Sequence, residues 1–275
     1  MRLIHTVAEL RARLANESSI VFVPTMGNLH EGHLELVRLA RQRGTCVVVS
    51  IFVNPLQFGP AEDFDKYPRT LEADCAKLQG LAEVVFAPSV TEIYPERQTV
   101  FVEPPSIADE LCGAFRPGHF RGMATVVLKL FNLVQPQIAI FGKKDYQQLA
   151  IIRQMVCQFN LPIEIVGAAT MRAADGLALS SRNQYLTAGE RTEAVFLSQI
   201  LSEVRDALVG GATGYVALEQ VAGAALAKHG WQVEYVAVRS QADLGGPAKG
   251  ERKLVVLAAA RLGKTRLIDN LEVCL

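Results

Sequence analysis

The chain reads as an α/β protein: a parallel sheet with helices on both faces, followed by a small C-terminal α+β unit. Three observations predict this. Short apolar runs alternate with longer helical patterns through the first two thirds of the chain. Those runs are nearly continuous in Val, Ile and Phe, as strands covered on both faces are. After about residue 175 the order changes to helices first and strands afterwards, which suits a segregated α+β unit. The expected division is 1–174 and 175–275, in keeping with about 150 residues per domain for a chain of 275.

The elements follow in order. MRLI reads as a strand, and the segment after it as a short helix. SIVFVP (19–24) is a strand ending in Pro. EGHLELVRLARQRG (31–44) is a helix, with basic residues late and a terminal Gly. TCVVVSIFVN (45–54) is a buried strand. Helix 68–80, strand 82–88, helix 125–135, strand 137–142, helix 145–160 and strand 162–167 continue the alternation. The second unit carries one long helix over 187–211, another over 215–230, and strands at 231–240, 253–262 and 265–274.

Composition narrows the function. Half the residues are hydrophobic and a fifth are charged, so the chain is globular. Lys+Arg is 28 and Asp+Glu is 28. Proteins devoted to nucleic acid or anionic membranes carry a basic surplus, so neither partner is expected. The longest apolar run, Leu254 to Ala260, falls far short of the roughly 20 residues that span a bilayer. The N-terminus lacks a signal-peptide pattern, which makes a cytoplasmic location the expectation. Cys46, Cys75, Cys112, Cys157 and Cys274 form no CxxC pair and read as reduced thiols.

Four motifs carry chemistry. PTMGNLHEGH (24–33) joins the end of a strand to the start of a helix. Ligands of open parallel sheets bind at such strand ends, and a helix N-terminus favours phosphate. His30 and His33 can donate toward one anion from the first turn. Ordinary cap residues are the alternative, which two His flanking a Gly disfavour. Zinc is not expected: HEGH lacks the HExxH spacing, and His119 and His229 supply no third ligand. VNPLQFGPAEDFDKYPRT (53–70) is a loop whose Asn54 and Gln57 either read a hydroxyl or carboxylate or cap their own backbone. FGKKDYQQL (141–149) places Lys143 and Lys144 at a helix start, against the macrodipole, which favours an anion between them. DGLALSSRNQYL (175–186) offers Ser180, Ser181 and Arg182 as a phosphate clamp, or else as a turn capped by Ser181 or Asn183. RLGKT (261–265) mimics a P-loop tail but lacks its first Gly, and no GxGxxG dinucleotide fingerprint occurs.

These strings, with PGHFRGMATVVLKLFN (117–132), resemble in order and register the pantothenate synthetase (pantoate–β-alanine ligase) family of the HxGH nucleotidyltransferase superfamily. The resemblance covers about residues 20–190 and extends more loosely to the end. It implies a Rossmann-like domain for nucleotide and pantoate, a C-terminal lid, and a cytoplasmic homodimer. It implies ATP as co-substrate with Mg²⁺, and (R)-pantoate and β-alanine joined through pantoyl adenylate, with AMP and pyrophosphate released. By likeness, Met26, Gly27, Asn28, Leu29, His30, Glu31, Gly32 and His33 form the first ATP loop, with His33 as proton donor. Gly142, Lys143, Lys144 and Asp145 form the second, with Asp145 on the ribose side. Met171 meets adenine, and Leu179, Ser180, Ser181 and Arg182 clamp phosphate. Gln57 meets pantoate and β-alanine, Gln148 meets pantoate, and Arg116 lies near the substrate carboxylates. His30, His33, Lys144 and Arg182 are the expected catalytic set. HxGH alone leaves open a nucleotidyltransferase acting on another small acid or phosphate.

Overall fold

The computed structural model describes residues 1–60, 62 and 64–275; Ala61 and Asp63, inside the loop expected over 53–70, lie outside the described residues. Six strands form one sheet: β1 (Arg2–Ile4), β2 (Ile20–Thr25), β3 (Cys46–Ile51), β4 (Val84–Phe86), β5 (Ile138–Gly142) and β6 (Glu164–Ala168). Their order is β1-β4-β3-β2-β5-β6, and every pairing is parallel. Along the chain run α1 (Val7–Leu14), α2 (Glu31–Arg41), α3 (Leu71–Leu78), α4 (Val90–Ile93), α5 (Cys112–Phe115), α6 (His119–Val134) and α7 (Tyr146–Gln158). Then come α8 (Ala188–Glu193), α9 (Phe196–Val209), α10 (Tyr215–Lys228), and the antiparallel sheet β7 (Gln232–Ser240), β8 (Lys253–Leu262) and β9 (Thr265–Cys274).

The alternation of side chains along each strand builds two cores. Val21, Val23, Val47 and Val49 face α2, packing on Leu36, Val37 and Ala40. Phe22, Val48, Phe86 and Phe141 point the other way, into Leu10 of α1, Phe131 of α6 and Ile152 of α7. Right-handed crossovers account for the split. The chain leaves β2 for β3 on one side through α2, then returns past β2 to β5 through α6, on the opposite face. The direction of travel reverses between β2 and β5, where open sheets of this kind form a ligand crevice at the strand carboxyl ends.

The second sheet is covered twice. Leu254, Val256, Ala258 and Ala260 of β8 pack with α9 and α10. Val255 and Leu257, between them, join the main core. That explains why KLVVLAAARL is apolar without alternation. RLGKT is the two-residue turn between β8 and β9, with Gly263 at φ +55°.

The elements differ from expectation in several places. α6 starts at His119, six residues early, because Gly118 turns into it at φ +79° and the polar first turn conceals the periodicity. The helix expected over 187–211 is two helices: a capping box between Thr187 and Glu190 starts α8, and the ladder is interrupted at Ala194–Val195 before α9. Short helices at 90–93 and 112–115 were not legible at all. Within α6, a Cβ on Gly122 would lie 2.0 Å from the Leu56 carbonyl oxygen, so only glycine lets the 54–57 turn press on the helix. Gly122→Ala should therefore cost about 1–3 kcal/mol, as overpacking does, and lower the thermal midpoint by several degrees in a calorimetric scan.

Candidate active site

A cleft of about 1250 Å³, partly open to solvent, lies over the carboxyl ends of β2, β3, β5 and β6. Met26 and His30 line it from the β2–α2 loop, and Gly32 and His33 from the first turn of α2. His30 is the N-cap of α2, where its Nδ1 accepts the Gly32 N–H at 3.1 Å. His33 Nδ1 accepts the His30 N–H at 3.3 Å. An Nδ1 that accepts carries no proton, so each neutral ring bears its N–H at Nε2. Burial, helped by Lys144 nearby, pushes the His30 ring down to about 4. Burial, His30 and Lys144 push His33 down to about 3. The rings lie with centroids 4.1 Å apart. A Cβ at Gly32 would sit 2.9 Å from the His30 ring, so the intervening residue has to be glycine. The pair is therefore a set of neutral donors at pH 7; the charge compensation expected of it is hydrogen bonding.

The loop after β3 supplies Gln57. Asn54, fully buried, donates from Nδ2 to Gln57 Oε1 at 3.1 Å and to the Gly122 carbonyl at 3.1 Å. Its Oδ1 accepts the Tyr94 hydroxyl at 2.8 Å. Asn54 thus serves the loop itself. Its grip turns the Gln57 amide so that Nε2 faces Met26 Sδ at 3.2 Å, inside the cleft. His119 fastens the same loop, with Nδ1 2.7 Å from the Gln57 carbonyl. Its Nε2 lies 3.0 Å from Arg116, whose guanidinium makes a two-pronged ion pair with Glu62 at 2.6 and 2.7 Å. Burial and Arg116 push His119 down to about 4. Arg116, expected near substrate carboxylates, pairs with Glu62 and lines a smaller pocket that shares Lys144, Asp145 and Gln148 with this cleft.

After β5, Gly142, Lys144, Asp145 and Gln148 line the cleft. Lys143 does not: its ammonium pairs with Glu272 at 2.6 Å, which satisfies one of the two charges expected to demand an anion. The adjacent glutamines divide similarly. Gln147 is buried and bonds to the Ile107 and Glu110 carbonyls and the Cys112 N–H, while Gln148 faces the cleft. Met171, Leu179, Ser180, Ser181 and Arg182 complete the rim. The cap there is Ser180, accepting the Arg182 N–H at 3.3 Å, while Ser181 donates to the Asn28 carbonyl across the cleft at 3.2 Å. Gly27, Asn28 and Leu29 lie behind the lining, and Glu31 points outward to Arg38.

Sequence reasoning missed two supports. Asp269 of β9 holds Arg172 by 2.6 and 2.8 Å bonds, and Asn270 donates to the Lys143 and Lys144 carbonyls at 2.9 and 2.8 Å. Adjacent polar residues in mid-strand were the available signal. Asp74 is fully buried on α3 and accepts the Asn28 and Leu29 N–H groups, each at 2.8 Å. An Asp inside the apolar stripe of Leu71, Cys75 and Leu78 was the signal there.

No group of three His, Cys, Asp or Glu among the described residues could hold a metal ion.

The profile of the Pantoate-beta-alanine ligase family matches residues 2–272. The chain belongs to that family. It is 62% identical over 275 residues to the pantothenate synthetase of Chromobacterium violaceum, covering 99% of each chain. It is 59% identical to that of Neisseria meningitidis serogroup B, again over 99% of each. Its fold matches the pantothenate synthetase crystal structure from Thermus thermophilus with a TM-score of 0.95, 45% identity and complete coverage of both chains. The Francisella tularensis pantoate–β-alanine ligase, solved in complex with beta-gamma ATP and β-alanine, matches at a TM-score of 0.83 and 34% identity over 98% and 97% of the two chains. Family membership and the cleft agree on a parallel-sheet enzyme with a small antiparallel second sheet.

The three depressed histidines dictate a pH response. The folded chain keeps them neutral while the unfolded chain protonates near 6.5, so stability is full above that pH and falls as pH drops toward about 4. The thermal midpoint should decline between pH 7 and pH 5. His119→Gln, which keeps one donor and one acceptor, should flatten that decline; an unchanged slope would discount His119.

Proposed function

We propose that the chain condenses (R)-pantoate with β-alanine to give pantothenate, in two steps that consume ATP and release pyrophosphate and AMP. One observation carries the reading: a single cleft is lined by two sets of groups, one suited to phosphates and one to a small hydroxy acid. Neutral Nε2–H donors of His30 and His33 join Lys144, Ser180, Ser181 and Arg182 in the first. In the second, Gln57 and Gln148 join an apolar lining of Val126, Val127 and Leu130. Pantoate has two hydroxyls and a carboxylate around a dimethyl carbon, which suits amides set over aliphatic side chains.

In the first step the pantoate carboxylate attacks the α-phosphorus and pyrophosphate leaves. Both reactants are anions, so the enzyme's work is alignment and stabilisation of charge moving onto the leaving group. Lys144 and Arg182 supply positive charge. His30 and His33 donate hydrogen bonds to phosphate oxygens from fixed rings, which need no reorganisation. A Mg²⁺ accompanying ATP would supply further neutralisation. In the second step the Gln57 amide orients β-alanine, whose free amine attacks the acyl carbon and expels AMP. The Ser181 bond to the Asn28 carbonyl ties the 179–182 segment to the β2–α2 loop, and closure of that kind would keep water from an adenylate. The same reading assigns 1–174 to nucleotide and pantoate binding, 175–275 to a covering unit, and a cytoplasmic homodimer as the working form. Met171 borders adenine and Asp145 the ribose.

A nucleotidyltransferase for another acid would leave the nucleotide on its product, so AMP release that requires both pantoate and β-alanine decides between the readings. Pyrophosphate exchange into ATP should proceed with pantoate and Mg²⁺ and without β-alanine. The second half-reaction should accelerate from pH 7 toward 9, because the β-alanine amine resembles that of lysine, with a pKa of roughly 10.4. Exchange that strictly requires β-alanine would defeat the stepwise mechanism. His33→Ala should slow exchange about 10²–10³-fold, the usual loss for one such donor; a change of only a few-fold would remove it from the catalytic set.

A further inference from the structure

The turn that precedes α2 has an unusual foundation. Gly27 and Asn28 both occupy the left-handed region, at φ +82° and +51°. Asn tolerates this better than most residues, but two in succession need outside support. The support is Asp74 on α3, 0% exposed and distant in sequence from the turn. Oδ2 accepts the Asn28 N–H and Oδ1 the Leu29 N–H, both at 2.8 Å. Thr70 donates to Oδ2 at 3.1 Å. One turn further along α3, Lys77 donates to the Leu29 carbonyl at 2.6 Å. Leu29 is thus gripped at its N–H and its carbonyl, and the next residue is His30, the N-cap. Both carboxylate oxygens are spent on this turn, and Asp74 is absent from the cleft lining. A buried carboxylate meeting two backbone donors makes charge-assisted bonds, stronger than neutral ones, and fixes the two N–H directions together.

We propose that Asp74 is a positioning residue for the adenylation step: by clamping Asn28 and Leu29 it fixes the direction from which His30 and His33 present Nε2–H to the phosphates. The role rests on the functional reading above, and it is specific to one half-reaction. The second step draws on Gln57, whose side chain and carbonyl are held by Asn54 and His119 instead.

Asp74→Asn keeps the shape but turns an amide donor toward a backbone donor. At saturating ATP and pantoate, pyrophosphate exchange should fall at least tenfold. The KM for pantoate, and the aminolysis of supplied pantoyl adenylate by β-alanine, should stay within twofold. Lys77→Met, which loosens the same residue and leaves the carboxylate in place, should show the same pattern to a smaller extent and serves if Asp74→Asn does not fold. A folded variant with exchange within twofold of the parent overturns the proposal, as does a parallel loss of exchange and aminolysis. Nitrogen-15 spectra of the labelled histidines, assigned with single His30 and His33 variants, provide a readout independent of turnover. The parent should show both rings as the Nε2–H tautomer and Asp74→Asn a mixture; unchanged rings would overturn the role even if the parent proved inactive toward pantoate.

Discussion

Two neighbouring side chains in the middle of β9 hold two of the segments that line the cleft. Asp269 takes the Arg172 guanidinium with two bonds and so anchors the segment leading to Leu179 and Arg182. Asn270 takes the backbone carbonyls of Lys143 and Lys144 and so anchors the segment after β5. Both are buried, at 4% and 5% exposure, where unpaired polar groups are costly. Neither loop could take its present path if β9 moved. The second sheet is therefore part of the site, although none of its strands contributes to the lining of the main cleft.

The electrostatic character of the site follows from the same economy of groups. Net charge is zero, so attraction of a polyphosphate depends on a few placed cations and donors. Burial keeps the histidines neutral, and their own helix fixes their tautomer. Protonated rings would attract phosphate more strongly but would lose the Nδ1 acceptors that orient them. The rings keep their orientation at the expense of charge, and Lys144 lines the same cleft.

Much of this was legible in the sequence. Six β-rich runs at strand spacing gave the sheet, the polar strings at their carboxyl ends gave His30, His33, Gln57, Lys144 and residues 180–182 of the cleft lining, and the family resemblance added Gln148 and Leu179. What was not legible was partnership across the chain. Lys143 and Lys144 look alike in sequence, and only the approach of Glu272 from β9 separates them. Arg116 looks like a free cation until Glu62 folds against it. Asn54 and Gln57 had equal claims as ligand readers; the tight contact at Gly122 gave Asn54 a backbone partner and left Gln57 to the cleft. Local patterns specify elements, whereas the pairing of charges over more than a hundred residues depends on packing that no single segment encodes.

β8 has a consequence for how the molecule comes apart. Its odd and even residues enter different cores, so the strand is a shared wall between the two units. Pulling the units apart would bring Val255 and Leu257 into water together with the part of the α6–α7 core that they cover. Such a contact resists separation and favours loss of both units in one cooperative transition. A fragment ending near residue 174 would carry an uncovered apolar face and tend to self-associate.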